Sequence, residues 1–298
     1  MAAAGAAARG DRGDVSKRAP IPPEEVARLV AASAKYGGID ADLVAAVAAA
    51  EAPKAGNEAD AVKRVKRKLH QLVGAYLDVR MPFADWLARI EAAGDDAARR
   101  AACREILAHH ASTRERLAEL DAFYAAVFAD MPAPRRVADL ACGLNPLARP
   151  FMPIPRDTPY FACDVHRPLV DFVAAALGRL GHPIETAVCN LLAGVPRLDA
   201  DVVLILKSLP CLEQADRAAG RRLLAAIDAP LIVVSYPTAS LGGARRGMAE
   251  FYEERFRQIV PRERFEIETR RFATELMFRL WRRPRRTGAA SCWCRPSG

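Results

Sequence analysis

The chain has 298 residues, 51% of them hydrophobic, and a formal net charge of +8 at pH 7. This length suffices for one large domain and a smaller one, each with a buried core. No run approaches 18 uncharged apolar residues and no apolar signal segment opens the chain, which argues against a membrane protein, and we expect a soluble, cytoplasmic one.

Helical patterns dominate the first 130 residues. Residues 1–20 are rich in Ala, Gly and Arg without apolar periodicity, and we expect them to be disordered. Proline in the first turn, Asp or Asn as N-cap and glycine after the last turn mark the ends of the helices that follow. The predicted helices run from Pro22 through Tyr36, from Asp40 to the residues before Pro53, from Asn57 to Val73, from Phe83 to Ala92 and from Asp95 to Ala108.

The third of these helices is strongly basic. Five cations occur within six residues: Lys63, Arg64, Lys66, Arg67 and Lys68. A basic run is often only the solvated face of a helix. Because residues 262–286 are also rich in arginine, the chain has two basic regions, and this favours a polyanion such as nucleic acid as the partner.

From residue 112 onward the pattern changes. Ser112-Thr113-Arg114-Glu115 has the spacing of a capping box and predicts a helix that ends at Met131-Pro132. Near-continuous apolar strands then alternate with helices, as in a parallel sheet covered on both faces. Strands are predicted at 137–140, 160–163, 185–189, 202–207, 231–235, 264–271 and 275–282, and helices at 167–180, 212–227 and 246–259. The pattern therefore predicts an α/β, Rossmann-like fold with five parallel strands, a C-terminal antiparallel hairpin and an α-helical N-terminal domain.

The first predicted strand runs into a turn of small residues, Ala141-Cys142-Gly143-Leu144-Asn145, and Asp164 ends the second strand 21 residues past Gly143. Small residues let a backbone approach a nucleotide-like cofactor, and a carboxylate about 20 residues on can bind both ribose hydroxyls. The turn lacks the G-x-G-x-x-G pattern and resembles the first motif of S-adenosylmethionine methyltransferases. At the later strand ends, Asn190 could accept from the adenine amino group, and Leu191 and Leu206 could form apolar walls.

Longer blocks of sequence resemble one family, the aminoglycoside-resistance 16S rRNA guanine-N7 methyltransferases, which modify guanine 1405 of the small (30S) ribosomal subunit. The first matching block is Asp139–Pro146, and the matching blocks together extend from about residue 60 to residue 250. Further matching blocks are Lys68-Leu69-His70-Gln71, His110-Ala111-Ser112-Thr113-Arg114-Glu115-Arg116, Leu206-Lys207-Ser208-Leu209-Pro210-Cys211-Leu212-Glu213 and Ser235-Tyr236-Pro237-Thr238-Ala239-Ser240-Leu241-Gly242-Gly243.

This resemblance implies the residues that bind S-adenosylmethionine. Arg116 matches an arginine that holds the methionine carboxylate, a role suited to a planar guanidinium. Tyr76 would cover the cofactor, although packing in the core is an equal alternative. The full set expected at the cofactor is Tyr76, His110, Ala111, Ser112, Arg116, Ala141, Gly143, Asp164, Asn190, Leu191, Leu206 and Gln214.

The reaction itself requires no acid or base. Guanine N7 is unprotonated at neutral pH and carries an in-plane lone pair, so a methyl transfer to it depends on positioning. Lys207 and Ser208 follow the fourth strand and are the candidates for positioning the base, with Lys207 either a wall or a phosphate contact. The spacing of His70, His109 and His110 is not that of a zinc site, and Cys292 and Cys294 lack a second ligand pair, so we expect no metal.

These patterns divide the chain into a disordered segment (1–20), a helical domain that docks on rRNA (21–111) and a catalytic domain that binds S-adenosylmethionine (112–298). We expect a monomer whose partner is 16S rRNA within the 30S subunit, and whose rRNA contacts include the five cations of the basic helix. A methyltransferase for another RNA base or a small molecule, or a ribosome-binding factor that has lost catalysis, are the alternatives.

Overall fold

A computed structural model describes residues 22–74, 81–238 and 248–284. Seven helices precede the sheet: α1 (Pro23–Ala31), α2 (Ala41–Glu51), α3 (Glu58–Leu69), α4 (Phe83–Ala92), α5 (Asp96–Leu107), α6 (Ala111–Arg114) and α7 (Leu120–Val127). Asp40 and Asn57 cap α2 and α3 through their side chains, as the sequence predicts. Three short 3-10 segments (Ala52–Lys54, Leu117–Glu119 and Asn145–Phe151) and one π-helical turn (His70–Gly74) complete the helical structure described.

The remainder forms one seven-stranded sheet in the order β3-β2-β1-β4-β5-β7-β6. Its strands are β1 (Val137–Leu140), β2 (Tyr160–Asp164), β3 (Ile184–Val188), β4 (Val202–Leu206), β5 (Leu231–Pro237), β6 (Phe265–Arg271) and β7 (Glu275–Arg282), and the helices among them are α8 (Arg167–Arg179), α9 (Leu209–Ala215), α10 (Ala219–Ala226) and α11 (Met248–Ile259). The first five strands are parallel, and β7 pairs antiparallel with β5 and with β6. The predicted α/β fold with its terminal hairpin is confirmed.

Three local predictions are wrong. The first helix ends at Ala31 instead of Tyr36, where the amide and the hydroxyl of Ser33 both donate to the Val30 carbonyl in place of the next helical bond. The helix predicted at 212–227 is two helices, separated at Asp216, whose carboxylate accepts from the Ala218 amide.

The capping box at Ser112 does not form, since Ser112 lies inside the four-residue α6 and its hydroxyl lies 2.8 Å from the His110 ring nitrogen Nδ1. A capping box needs a Ser or Thr at the residue before the helix, and His110 holds that place.

The hydrophobic clusters of the described residues divide between residues 72 and 81, whereas the boundary predicted from the sequence is at 111. The side chains of α1, α2 and α3 form one cluster with Leu72. Trp86 and Ile90 of α4, with Ile106 of α5, belong instead to the cluster that covers one face of the sheet. The helical unit is therefore defined here as residues 22–74, and α4 and α5 pack as part of the sheet domain.

The helical unit is held against the chain that follows β2. The Asp40 amide donates to the Val165 carbonyl and the Arg167 amide to the Gly38 carbonyl, each at 2.8 Å. A Cβ at Gly38 would come within 2.7 Å of Pro168, so only glycine permits this close approach. The helical unit is thus fixed next to the carboxyl end of β2, where Asp164 lies.

Candidate active site

The turn after β1 has a backbone that most residues avoid. Ala141 and Gly143 have φ angles of 52° and 51°, in the left-handed region. At Gly143 a Cβ would also approach the His110 ring to 3.0 Å, so glycine is required both for its conformation and for its packing. Ala141 has a Cβ and therefore carries some strain, which is typical of residues held at functional sites.

Asp164 connects this turn to the end of β2. Its Oδ2 accepts from the Gly143 amide at 3.0 Å, and its Oδ1 accepts from the His166 amide at 3.2 Å. Burial raises the pKa of Asp164, while these backbone donors oppose the shift because they stabilise the charged form. Each carboxylate oxygen accepts one backbone bond and retains a lone pair, so Asp164 can accept two further hydrogen bonds from a ligand.

An open cleft lies above the carboxyl ends of β1, β2, β3 and β4, between the sheet domain and the helical unit. It has a volume of about 820 Å³, including the part open to solvent. Eight residues predicted for the site line it: His110, Ser112, Ala141, Gly143, Asp164, Asn190, Leu191 and Ser208. Its remaining lining residues were not predicted there: Leu43, Leu72, Val73, Val165, Leu169, Cys189, Leu192, Cys211 and Leu212.

The unpredicted residues make the cleft largely apolar, and three of them, Leu43, Leu72 and Val73, come from the helical unit. The apolar periodicity of the basic helix marks Leu72 and Val73 as buried, but it does not show which surface they cover. That surface is decided by the docking of the helical unit, which sequence spacing does not encode.

Four residues expected at the cofactor are not among those that line the cleft. Ala111 is half-buried at the start of α6, Leu206 is buried at the end of β4, and Gln214 is exposed on α9. The fourth is Arg116. Tyr76 lies outside the described residues.

Arg116 is buried, with 2% of its surface exposed, and its guanidinium is occupied by protein groups. Nε and Nη2 donate to the two carboxylate oxygens of Glu275 at 2.9 and 2.6 Å, and Nη1 donates to Asn145 Oδ1 at 2.8 Å. The resemblance assigns this guanidinium to the methionine carboxylate of the cofactor, whereas the carboxylate that it holds in the structure is that of Glu275, at the start of β7.

Lys207 likewise faces the protein interior. It adopts a left-handed φ of 58° after β4, and its Nζ lies 2.7 Å from Glu115 and 3.4 Å from Glu275. Although burial acts in the opposite direction, the charges of Arg116 and Lys207 lower the pKa of Glu275. Lys207 is thus part of a buried ion network, and its Nζ is held by Glu115, Glu275 and the Ser112 carbonyl instead of contacting a phosphate.

Below the turn, this network continues through Asn145 to Asp139 of β1. Asp139 Oδ2 accepts from Asn145 Nδ2 at 2.8 Å and from the Tyr160 hydroxyl at 2.9 Å, while Oδ1 has no hydrogen-bond partner within the described residues. Burial raises the pKa of Asp139 to about 7, although both hydrogen bonds oppose the shift. Sequence spacing did not indicate this network, since Arg116 and Glu275 are 159 residues apart.

The two polar side chains on the wall next to the turn are neutral at physiological pH. Burial, together with the charges of Lys207 and Arg114, lowers the pKa of His110 to about 4. The Ser208 hydroxyl is buried and, within the described residues, has no hydrogen-bond partner. The cleft therefore offers one carboxylate, neutral hydrogen-bonding groups and apolar walls, which suits a nucleoside.

The basic helix, α3, lies at the outer side of the helical unit. Lys63 and Arg67 are exposed, Arg64 pairs with Asp60 at 3.0 Å, and Lys68 Nζ donates to the Gln214 carbonyl at 3.0 Å. Lys66 is half-buried. Lys68 therefore ties α3 to α9 across one side of the cleft, and the remaining cations are the part of the predicted rRNA surface that is turned to solvent.

The described residues contain neither a metal-binding cluster nor a helix that could cross a membrane. In residues 22–74, 81–238 and 248–284, no three His, Cys, Asp or Glu side chains are grouped so as to hold a metal ion. None of the helices in these ranges has the length and apolarity needed to cross a bilayer.

The sequence and the structure are both similar to known proteins. The family model described as "Ribosomal RNA methyltransferase (FmrO)" matches residues 32–279. A 16S rRNA (guanine(1405)-N(7))-methyltransferase of Micromonospora echinospora is 43% identical over 73% of this chain and 81% of its own length, and that of Frankia casuarinae is 41% identical over 86% and 92%. The crystal structure of the 16S rRNA methyltransferase RmtF with S-adenosyl-L-homocysteine covers 91% of this chain and 100% of its own, with a TM-score of 0.77 and 28% identity.

Proposed function

The chain belongs to the family of 16S rRNA (guanine(1405)-N(7))-methyltransferases, and we propose that it transfers the methyl group of S-adenosylmethionine to N7 of guanine 1405 in 16S rRNA. The observation that carries this proposal is the convergence of the Gly143 turn and Asp164 on one largely apolar cleft at the carboxyl ends of the strands. Doubly wound folds bind their ligands at that place.

The residues of the cleft fit the cofactor that the family uses. The left-handed turn at Gly143 lets the backbone approach a ligand closely, and Asp164 retains two acceptor positions that match the two hydroxyls of a ribose. Leu191 and Leu192 would enclose the adenine between apolar surfaces. Asn190 Oδ1 accepts from the Leu192 amide at 3.1 Å and retains a second lone pair for the adenine amino group, while Nδ2 is able to donate to the base.

Bound S-adenosylmethionine supplies a methyl group on a positively charged sulfur. The protein has to align guanine N7 with that group and to exclude water, because N7 already carries its lone pair and no proton must be removed. His110, with its low pKa, stays neutral and packs against the Gly143 turn. The Ser208 hydroxyl, which lacks a partner within the described residues, is available to donate to the incoming base.

Lys207 acts on this site indirectly. With Arg116 and Glu275 it fixes the positions of the α6 segment and of the first residues after β4. We therefore assign Arg116 and Lys207 to positioning of the cleft walls, and Ser208 to positioning of the substrate.

The helical unit, residues 22–74, would dock on rRNA through the exposed cations of α3. We propose that a monomer acts in the cytoplasm on the assembled 30S subunit, where the target guanine is presented by folded rRNA. The added methyl group and its positive charge would then block aminoglycosides that contact this base, which gives resistance.

The test is methyl transfer from tritium-labelled S-adenosylmethionine to 30S subunits, free 16S rRNA and tRNA, followed by mapping of the modified nucleotide. Label in 30S subunits at guanine 1405 supports the proposal. Label at another base or in tRNA would indicate a different RNA substrate. Cofactor binding without transfer to any of the three would indicate a binding factor that has lost catalysis.

A further inference from the structure

A second cleft lies near the amino ends of β2 and β3, at the opposite ends of the strands from the cofactor cleft. It has a volume of about 580 Å³, including the part open to solvent. The start of α5, the segment between β1 and β2, and the α8–β3 connection form its walls. Its charged and titratable lining residues are Asp96, Arg99, Arg100, Arg149, Arg156 and His182, and we call it the arginine cleft.

Positive charge dominates this cleft. Four guanidinium groups line it, against a single carboxylate, Asp96. Arg99 and Arg156 share Asp96, at 3.6 and 3.3 Å, and Asp96 is itself 74% exposed. Arg100 pairs with Asp121 outside the cleft and stacks over Phe151 at 4.1 Å. Because one exposed carboxylate is shared by two arginines, its neutralising effect is small and is weakened further by solvent.

Arg149 is the unusual member, because its charge is buried without an acidic partner. Only 2% of its surface is exposed and its Nη2 donates to the Pro155 carbonyl, while its Nε has no hydrogen-bond partner among the residues that the structure describes. Across the ranges that the structure covers, Arg149 forms no ion pair within 4.0 Å. Burial lowers the pKa of Arg149, which reflects the loss of hydration around its charge. An isolated buried charge is costly, and an anion in the cleft would offset that cost.

His182 adds a group that can respond to an anion. Its Nδ1 lies 3.1 Å from the Arg156 carbonyl, so Nδ1 carries the proton and Nε2 is the basic nitrogen of the neutral ring. Burial lowers the pKa of His182, and the ring is therefore neutral at physiological pH. A nearby anion would favour the protonated ring and raise this pKa.

We propose that the arginine cleft binds a phosphate group, with Arg99, Arg149 and Arg156 as its ligands. Guanidinium groups bind phosphate oxygens in pairs through a planar fork, and several of them around one cleft are typical of phosphate recognition. The phosphate comes either from the rRNA backbone or from free phosphate in solution, and both have the same tetrahedral oxyanion. This site is separate from the cofactor cleft, and the proposal does not depend on methyl transfer.

The test uses the full-length protein and titration calorimetry with inorganic phosphate, in a phosphate-free buffer of low ionic strength. Arg99 and Arg156 are 33% and 51% exposed, so the double variant Arg99→Gln/Arg156→Gln should fold. The matched control is Arg89→Gln/Arg179→Gln, which removes two surface arginines from the neighbouring helices α4 and α8 outside the cleft. We expect phosphate binding to weaken about tenfold or more in the cleft variant, since charge-assisted bonds are lost, and to persist in the control.

Two further measurements separate the sources and check the site. An NMR titration of the His182 ring measures its pKa. Phosphate should raise this pKa in the parent and in the control, but not in the cleft variant. If the phosphate belongs to rRNA, the cleft variant also binds 16S rRNA more weakly, with a flatter salt dependence than the control. If it is free phosphate, rRNA binding is unchanged and phosphate binding alone is lost. Absence of phosphate binding by the parent up to millimolar concentrations, with rRNA binding equal in the two variants, would overturn the proposal.

Discussion

Replacing Asp164 by alanine tests the cofactor site most directly. The carboxylate accepts one backbone amide on each oxygen and would accept one ribose hydroxyl on each. A hydrogen bond to a charged group contributes about 1.5–3 kcal/mol, so losing two should cost about 3–6 kcal/mol of binding free energy. This corresponds to a roughly hundredfold to ten-thousandfold rise in the dissociation constant of S-adenosylmethionine.

The same substitution should leave the protein folded. Asp164 is only half-buried and lines an open cleft. In the alanine variant, water can therefore replace the carboxylate as the acceptor for the Gly143 and His166 amides. Removing a carboxylate whose pKa is raised by burial also relieves a desolvated charge.

Calorimetry with S-adenosylmethionine measures the affinity, and thermal unfolding measures the stability. The matched control is Asp171→Ala, which removes a carboxylate from the exposed side of α8. Parental affinity in the Asp164 variant would refute the assignment of Asp164 to the ribose. Loss of affinity accompanied by unfolding would instead show that the two backbone bonds hold the turn in place.

Three other changes test the network and the rRNA surface. Arg116→Lys should lower the free energy of unfolding by about 3–5 kcal/mol, measured by urea denaturation, because a lysine cannot replace the paired bonds to buried Glu275. The Asp139 carboxyl has a pKa of about 7 in the folded protein, so between about pH 4 and pH 7 the unfolded chain ionises first and the parent loses stability. Asp139→Asn has no such carboxyl. Its stability advantage over the parent should therefore grow across this range, to about 4 kcal/mol. Lys63→Gln/Arg67→Gln should keep parental affinity for S-adenosylmethionine while flattening the salt dependence of 30S binding by about 0.7–0.9 log units per lost phosphate contact.

Each of these has its own control. The control for Arg116→Lys is Arg114→Lys, which changes an exposed arginine and should be as stable as the parent. Equal stability of the two variants would contradict the role of the buried Arg116–Glu275 ion pair. For Asp139 the parent serves as its own reference at pH 5 and pH 8, and a stability difference that does not change with pH would disprove the raised pKa. For the basic helix the Arg89→Gln/Arg179→Gln variant removes the same charge elsewhere, and an equal effect on 30S binding would show only a general electrostatic attraction.

Much of the fold could be predicted because its signals are local. The caps Asp40 and Asn57 define helix starts through bonds to residues three positions on, and apolar runs such as Val202–Leu206 mark strands that are covered on both faces. The errors occur where short-range signals compete. Near Tyr36 the apolar pattern continues past the true end of the helix, and at Asp216 a side-chain bond breaks a helix that the periodicity extends.

The candidate site divides in a similar way. Gly143 and Asp164 could be predicted because parallel pairing of β1 with β2 brings the turn and the next strand end together, and the Gly143 amide does donate to Asp164. Arg116 was recognised as needing a carboxylate, but its partner Glu275 follows 159 residues later, and nothing between them fixes their distance. Leu43 and Leu72 line the cleft only because the helical unit docks beside β2.

Local signals in the sequence were enough to predict the α/β class, most of the strands and helices and the turn after β1, because capping, periodicity and strand-end chemistry act over a few residues. Packing of the whole chain set three further features: α4 and α5 lie against the sheet, Arg116 and Lys207 face Glu275, and Arg149 is buried without an ion pair to any described residue. These features depend on burial. A charge that has lost its water needs an opposite charge or a hydrogen-bond partner, and that partner comes from a residue distant in the sequence. Burial is a property of the packed chain and not of any short segment.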